Sequence, residues 1–465
     1  MRTFLGIDAG TQGTKVALID ENGALLREAD APTRLAYAPD GAITQDPEEM
    51  LASVVQAVAK LQATCCDGIA ISAQMAGVVG VNANGEAAMP YDSWLDQRCE
   101  CVLDHLKPME KELMDASGGQ LMSACGAKIL WWTKQGNTYR NLRYVTANAY
   151  LAMRLTGSSC AYVDATHLHF MLFADQRRQC WNTNAMEQTG IPQSVFPEIC
   201  SSQEKIGTLS AEMASKMGLF AGIPVYAGCG DTAAGIFGAG VTELGQAADI
   251  AGTASVLAMV RGDFRPDIEK KMLLTMKNVA GEGYVQLAYV GGGGLCLRWF
   301  RDLMGKSYAE LDALAASVPP GSGPLFSPHF AGRACPADAN ASGMFHGLKW
   351  THQAGHLYRS ILEAIGYEYE IYRRAAGFHG VITAVGGGTN SRLFSEIKAN
   401  ATGQRYCVCA LKDTGAYGAA LLARLAATGS MPAHAIQGQE VLPNDGIHHL
   451  YTQRIFAYER LLAQR

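Results

Sequence analysis

The chain has 465 residues, of which 48% are hydrophobic and 17% are charged, and its net charge is −5. This length exceeds what a single hydrophobic core usually serves, so we expect two large domains. The mild charge, without a basic block, argues against nucleic acid as the main partner. The sequence has no long uncharged apolar run, so we expect no transmembrane helix. Thirteen scattered cysteines, an odd number, fit reduced thiols in a cytoplasmic protein better than a disulfide framework.

The first twenty residues predict a buried β-hairpin with strands over 3–8 and 14–20. Gly10 and Gly13 give the connecting turn the backbone freedom that it needs. Asp8 ends the first strand and presents a carboxylate to a cation, while the turn's N–H groups and Lys15 suit an anion. Such a pair is typical of a magnesium–polyphosphate site, although an ordinary hairpin with a glycine turn explains the same letters.

The following residues predict a third antiparallel strand over 24–31 and a helix that begins at Pro47, with Asp46 as its N-cap. Strands are expected over 68–73 and 76–81, with a third strand toward Pro90 after a turn at residues 84–85. Residues 99–217 are expected to be mostly helical, with helices over 127–135 and 146–156.

The order of strands and glycine turns repeats from about Gly245 onward. Residues 223–234 read as a strand, a glycine turn and a helix, with Asp231 at the tip of the turn. Residues 248–257 repeat the opening hairpin, and residues 381–391 repeat the strand, glycine turn and helix around Asp231. The repeat predicts an internally duplicated α/β chain with domains 1–244 and 245–465.

Seven motifs follow one another in an order that resembles the FGGY family of carbohydrate kinases, within the actin-like ATPase superfamily. They are residues 8–15, 72–77, 93–98, 228–235, 252–253, 292–294 and 385–390. The resemblance covers almost the whole chain, and xylulose kinases look like the most similar branch. It implies two actin-like ATPase (ribonuclease H-like) domains, with the active site in the cleft between them. It also implies transfer of the γ-phosphoryl group of MgATP to a hydroxyl of a sugar or polyol.

The resemblance also implies roles for individual residues. Asp231 matches the catalytic base, and Asp8 and Asp231 are the expected magnesium-side carboxylates. The sugar-contacting positions, in the N-terminal half, are Gln74, Met75, Ala76, Trp94, Asp96, Asp231 and Thr232. The nucleotide-binding positions are Thr11, Gln12, Gly13, Lys15, Gly252, Thr253, Gly293, Gly387, Gly388 and Asn390.

Elementary chemistry agrees with this assignment, because phosphoryl transfer needs alignment, charge neutralisation and a proton acceptor. A carboxylate at a glycine turn, such as Asp231, can approach a substrate hydroxyl, and the positive end of the next helix is expected to keep it ionised. The alternative is that Asp231 is only a helix cap.

Trp94 and Asp96 suit a polyhydroxylated ligand. The alternative is that Trp94 is a core residue and that Asp96 and Arg98 form a surface pair.

The sequence departs from xylulose kinases at Ala76, where they usually have His, and at Leu95, where they usually have Asn. Both changes remove polar partners from sugar-contacting segments, so the identity of the sugar does not follow from the resemblance. A ketopentose such as xylulose is expected; ribulose, sedoheptulose, gluconate and erythritol, or a non-catalytic nucleotide sensor, are the alternatives. His167 and His169, expected on one face of a strand, lack an evident partner that would complete a metal motif. The oligomeric state is left open, a homodimer included.

Overall fold

Two large mixed β-sheets organise the computed structural model, which describes residues 1–252, 254–409, 411, 413–431 and 438–463. The first sheet belongs to the N-terminal half. Its six strands, in spatial order, are Leu25–Pro32, Gly13–Asp20, Thr3–Ala9, Ile69–Ala73, Pro224–Gly230 and Lys205–Thr208. The first three strands form the predicted antiparallel meander, in which Asp8 lies opposite Lys15. The strands Ile69–Ala73 and Pro224–Gly230 then pair in parallel.

The second sheet belongs to the C-terminal half and repeats this arrangement. Its seven strands, in spatial order, are Leu274–Lys277, Tyr284–Val290, Ser255–Arg261, Gln246–Ala251, Val381–Val385, Arg405–Cys409 and Gly438–Val441. The hairpin of Gln246–Ala251 and Ser255–Arg261 is antiparallel, as predicted. The next two strands are parallel to Gln246–Ala251, and the last is antiparallel.

The topology corrects one detail of the predicted repeat. The strand Val381–Val385 lies beside the first strand of its sheet, so its counterpart in the N-terminal half is Ile69–Ala73. The counterpart of the strand before Asp231 is Arg405–Cys409, the strand that precedes the helix Thr414–Thr428. The prediction that residues 381–391 correspond to the segment around Asp231 was therefore wrong, because similar glycine turns can follow different strands of the same sheet.

Helices cover the sheets and connect their strands. Those of seven or more residues are Pro47–Lys60, Glu110–Ser117, Cys125–Lys134, Ala147–Thr156, Thr183–Thr189, Ala211–Met217, Asp231–Gly238, Gly293–Met304, Tyr308–Ala316, Ala354–Ala376, Arg392–Thr402, Thr414–Thr428 and Asp445–Ala463. Shorter helices, α or 3₁₀, are Arg98–Val102, Leu103–Leu106, Lys107–Met109, Asn137–Arg140, Ala165–Phe170, Gln193–Val195 and Gly387–Asn390. The predicted cap is present, since the Asp46 side chain accepts from the Glu48 N–H. None of the helices in the described ranges is long and apolar enough to cross a bilayer.

The two halves meet along the helices Asp231–Gly238 and Thr414–Thr428. A Cβ atom on Gly418 would lie 2.0 Å from the Ala234 carbonyl oxygen, and one on Gly238 would lie 2.2 Å from the Thr414 carbonyl oxygen. The second helix also packs closely on the first strand, since a Cβ on Gly6 would lie 2.1 Å from the Ala416 carbonyl oxygen. These glycines let backbones of the two halves touch, and a shared apolar cluster surrounds them.

The region between residues 80 and 217 contains more strands than predicted. The third strand expected toward Pro90 is reduced to a single bridge between Val81 and Ala87. Tyr91–Asp92 is a short strand. Within 99–217, short strands, not helices, occupy Arg143–Val145, Tyr162–Asp164, Ala174–Asp175, Cys180–Trp181 and Glu198–Cys200. Smaller strands elsewhere are Ala36–Tyr37, Ile43–Gln45, Val79–Val81, Leu325–Ser327, Arg333–Ala334, Ala337–Asp338 and Met344–His346. Pairs this short leave little periodicity in the sequence, so their residues read as loop or helix.

Candidate active site

Asp8 stands where the first strand ends, as predicted. The Ser72 hydroxyl on the neighbouring parallel strand donates to Asp8 Oδ1 at 2.6 Å. Burial and then the nearby Asp231 carboxylate raise the pKa of Asp8 to about 7, although the Ser72 bond and Lys15 lower it. Asp8 is therefore close to its titration midpoint at neutral pH, and a cation beside it would favour the ionised form.

Asp231 opens the helix that follows the strand Pro224–Gly230. Gly230 is the N-cap, so the helix begins one residue earlier than expected, and Asp231 Oδ1 accepts from the Thr232 N–H at 2.6 Å. Burial raises the pKa of Asp231 and outweighs the lowering by this N–H and by His167. The N–H at the start of the helix favours the ionised form, as expected, but desolvation by burial is the larger effect on the pKa of Asp231. A raised pKa makes a carboxylate a better proton acceptor.

The C-terminal half closes the site from the other side. A Cβ atom on Gly415, in the first turn of the helix Thr414–Thr428, would lie 2.4 Å from Asp8 Oδ2. Asp413, the residue before that helix, pairs with Lys15 Nζ at 2.5 Å. Asp8 and Asp231 therefore lie at the junction of the two halves, and Lys15 reaches from one half to the other.

Thr11 connects the turn of the first hairpin to the residues expected to contact sugar. Its hydroxyl donates to Gln74 Oε1 at 3.2 Å and accepts from Trp94 Nε1 at 3.0 Å. Gln45 completes the cluster, because its side-chain amide donates to the Thr11 carbonyl oxygen at 3.1 Å and accepts from Gln74 Nε2. Trp94 is 47% exposed, so it is not a core residue and presents a ring to solvent.

Met75 and Ala76 directly follow Gln74 of this cluster, and Met75 reaches the strand end that carries Asp231. A Cβ atom on Gly230 would lie 2.4 Å from Met75 Sδ, so the thioether packs directly against the residue before Asp231. Ala76 has φ +63°, a left-handed conformation that residues other than glycine adopt at a cost. Its methyl group offers no polar atom to a ligand.

Asp96 is almost fully buried and forms bonds inside the protein. Its carboxylate accepts from Arg98 Nε at 2.9 Å and from the Ile43 N–H at 2.9 Å. Burial raises the pKa of Asp96, but these bonds outweigh it and hold the pKa below its ordinary value. Arg98 also bonds to Asp92 at 2.9 Å and lies 4.9 Å from the Trp131 ring. The Asp96–Arg98 pair is thus interior rather than superficial, and the side-chain bonds of Asp96 go to Arg98 and Ile43.

The glycine turns of the C-terminal half meet beside the strand Gln246–Ala251. A Cβ on Gly388 would lie 2.4 Å from the Ala251 Cβ, and one on Gly293 would lie 2.3 Å from Ser255 Oγ. Gly387 and Asn390 are exposed at the start of the next helix, whereas a Cβ on Gly252 would meet only the Ala254 carbonyl oxygen at 3.7 Å. Thr253 lies outside the described residues. Gln12 and Gly13 belong to the turn of the first hairpin, where the Gly10 N–H donates to the Gly13 carbonyl oxygen at 2.9 Å.

The donor set suits magnesium bound through a nucleotide better than a cage built from protein groups. The described residues contain no cluster of three or more His, Cys, Asp or Glu side chains arranged to hold a metal. Magnesium usually keeps several waters and binds one or two carboxylates together with substrate phosphates. Asp8 and Asp231 supply two such carboxylates, and Lys15 adds a positive charge next to them.

Sequence reasoning missed three residues of the site: Gln45, which joins Thr11 and Gln74, and Asp413 and Gly415 at the junction of the halves. The letters Asp413-Thr414-Gly415 before a glycine- and alanine-rich helix were a usable signal, because they match Asp231-Thr232 in sheet position. Gln45 carried no signal, since nothing in its neighbourhood marks it. The histidines were also misplaced: His167 and His169 lie in a buried 3₁₀ helix, and Asp164 Oδ2 bonds His167 Nδ1 at 2.7 Å.

Comparison with known proteins identifies the family of this chain. The profile of the N-terminal domain of the FGGY family of carbohydrate kinases matches residues 3–238, and that of the C-terminal domain matches residues 250–427. A xylulose kinase of Bacillus subtilis is 25% identical over 446 residues, which cover 91% of this chain and 88% of that one. A glycerol kinase of Burkholderia multivorans is 28% identical over 461 residues, covering 91% and 89%.

The fold is likewise that of solved relatives. The crystal structure of xylulose kinase from Rhodospirillum rubrum superposes with a TM-score of 0.89 at 24% identity, and covers 100% of this chain and 98% of that one. The two duplicated sheets with their crossing helices are therefore an actin-like ATPase fold. The protein is a phosphotransferase that acts on an alcohol group, and the chain belongs to the FGGY family of carbohydrate kinases.

Proposed function

We propose that this kinase transfers the γ-phosphoryl group of MgATP to a hydroxyl of a small ketose, a ketopentose of the xylulose type, with Asp231 as the general base. The observation that carries the proposal is the placement of two electrostatically coupled carboxylates, Asp8 and Asp231, at the junction of the halves. One faces the helix Thr414–Thr428 and the other opens the helix Asp231–Gly238. The similarity to xylulose kinases of bacteria supports the choice of sugar.

The two carboxylates divide the work of the reaction. Asp231, next to the Met75 side chain, accepts the proton of the attacking hydroxyl, and its raised pKa favours this transfer. Asp8 would hold magnesium through water, and magnesium when bound neutralises charge on the phosphates. Lys15 lies close enough to Asp8 to lower the pKa of its carboxyl, and adds a second positive charge to the phosphate side.

The sugar is expected in the N-terminal half and the nucleotide mainly in the C-terminal half, with the domain division near residue 245. In this proposal Gln74, Met75, Ala76 and Trp94 contact the sugar. The nucleotide is contacted by Gly252, Gly293, Gly387, Gly388 and Asn390, and Thr253, outside the described residues, keeps the nucleotide role that the family resemblance implies. Thr11 bonds both Gln74 and Trp94, so it joins the phosphate turn to the sugar region. Asp96 acts in this proposal through the position of Ile43 and Arg98, since both its oxygens accept bonds from them.

A coupled ADP-release screen over ketopentoses, ketohexoses, polyols including glycerol, and aldonates tests the proposal. The expected result is the highest kcat/KM for a ketopentose, with ADP release abolished in Asp231→Asn. A kcat/KM for glycerol or an aldonate that equals or exceeds the value for every ketopentose would reject the ketopentose as substrate. Binding of ATP without phosphorylation of any compound would favour a non-catalytic sensor instead.

A further inference from the structure

The strand Pro224–Gly230 carries Asp231 into the site, but within the described part of the chain no strand pairs with its outer edge beyond Tyr226. Lys205–Thr208 pairs only with residues 224–226. A register shift follows between Tyr226 and Cys229, after which Gly230 pairs with Ala73 on the inner edge. Gly228 at this shift has φ +77°, and a Cβ there would lie 1.9 Å from the Ile71 carbonyl oxygen. The last residues before Asp231 therefore depend on other groups for their outer bonds.

Thr166 supplies the bond nearest to Asp231. It lies in the 3₁₀ helix Ala165–Phe170, which takes the place of a neighbouring strand along this edge. Its hydroxyl accepts from the Gly230 N–H at 3.0 Å and donates to Asp164 Oδ1 at 2.5 Å. Thr166 and Asp164 are both fully buried. One hydroxyl thus links the residue before Asp231 to a buried carboxylate.

Asp164 is itself fixed from several directions. It accepts from the Thr166 N–H at 3.0 Å, from Asn148 Nδ2 at 2.9 Å and from His167 Nδ1 at 2.7 Å. Burial alone would raise the pKa of Asp164, but His167 and these bonds outweigh it and lower the pKa. A carboxylate held in this way is a rigid acceptor, so the position of the Thr166 hydroxyl is determined by the interior of the N-terminal half.

We propose that Thr166 is a positioning residue for phosphoryl transfer, because its hydroxyl fixes the strand end from which Asp231 projects. The inference rests on the proposed role of Asp231 as general base. Gly230 is bonded covalently to Asp231, so a shift of the Gly230 amide moves the carboxylate with it. Displacement of a reacting group by about 1 Å costs on the order of 100-fold in rate. Thr166 has no need to contact the sugar or the nucleotide.

Thr166→Val tests this, since it keeps the size and branching of the side chain and removes only the hydroxyl. We expect kcat to fall about 10- to 100-fold, while the dissociation constants of sugar and ATP stay within about twofold. Thr166→Ser restores the hydroxyl and is expected to restore kcat. Tyr162→Phe is the matched control, because its hydroxyl bonds the Ala227 carbonyl oxygen of the same strand at 2.9 Å. It is expected to leave kcat unchanged, since Asn148 Nδ2 still donates to that oxygen at 3.2 Å.

Three results would overturn the inference: wild-type kcat in folded Thr166→Val, failure of Thr166→Ser to restore kcat, or an equal loss in Tyr162→Phe. If Thr166→Val does not fold, Thr166→Cys replaces it, because a thiol is a weaker acceptor of similar size. The kcat of Thr166→Cys should then be lower than the kcat of wild type and of Thr166→Ser. A wild-type kcat in Thr166→Cys would overturn the inference. Asp231→Asn separates the two claims: activity in that variant refutes the proposed base, whereas an inactive Asp231→Asn beside a fully active Thr166→Val refutes only Thr166.

Discussion

Gly415→Ala is predicted to damage catalysis while leaving the fold intact. The added Cβ would lie 2.4 Å from Asp8 Oδ2, whereas ordinary contact begins at 3.4 Å, so the carboxylate must move by about 1 Å. Asp8 cannot yield freely, since its other oxygen accepts the Ser72 hydroxyl at 2.6 Å. A displacement of this size corresponds to a loss of about 100-fold in rate. The three atoms nearest to the added Cβ all belong to the Asp8 side chain and none to the backbone, so the fold should persist and the melting temperature should change little.

The assay is coupled ADP release together with calorimetric binding of MgATP. Gly446→Ala is the matched control, because it places the same methyl group in another helix, where the nearest atom is Asn444 Oδ1 at 3.4 Å. We expect full activity there. Wild-type kcat and MgATP affinity in Gly415→Ala would show that the position of Asp8 against this helix does not matter for the reaction.

Two further predictions concern pH. Because the pKa of Asp8 is raised to about 7, affinity for MgATP should rise about tenfold per pH unit up to about pH 7 and then level off, and titration calorimetry on wild type and Asp8→Asn should show this dependence only in wild type. The Arg333 guanidinium and the His329 and Tyr458 bonds overcome burial and lower the pKa of the fully buried Glu368 from 4.5 to about 2. A lowered pKa stabilises the fold above the unfolded value, so about 3 kcal/mol should be lost as the pH falls from about 4.5 to about 2. Urea unfolding across that window should be steeper in pH for wild type than for Glu368→Gln, and parallel curves would contradict the assignment.

The parts of the fold that could be predicted are those written in consecutive residues. The opening hairpin, the helix capped by Asp46 and the helix expected over 146–156 depend on alternation, caps and turns within a short window, and all three were confirmed. The pairing of the halves was not accessible in this way. Parallel strands such as Ile69–Ala73 and Pro224–Gly230 are more than 140 residues apart, so their order within the sheet leaves no local trace.

The same limit applies to the site. Asp8 and Asp231 could be chosen because each ends a strand at a glycine-rich turn. The letters around Asp413 and Gly415 matched those around Asp231, but their place beside Asp8 is set by the second sheet, which positions their helix against the first strand. The prediction of a strand around His167 failed for a different, local reason. The partner of His167 is Asp164, three residues earlier, and a 3₁₀ turn rather than a strand brings the two side chains together.

The role of Asp231 decides the mechanism, and one substitution addresses it. Asp231→Asn keeps the size of the side chain and an oxygen that can accept from the Thr232 N–H, but removes the proton acceptor. ADP release in the presence of the best sugar should fall by about three orders of magnitude, while ATP affinity stays close to wild type. Turnover within about tenfold of wild type in this variant would show that another group takes the proton.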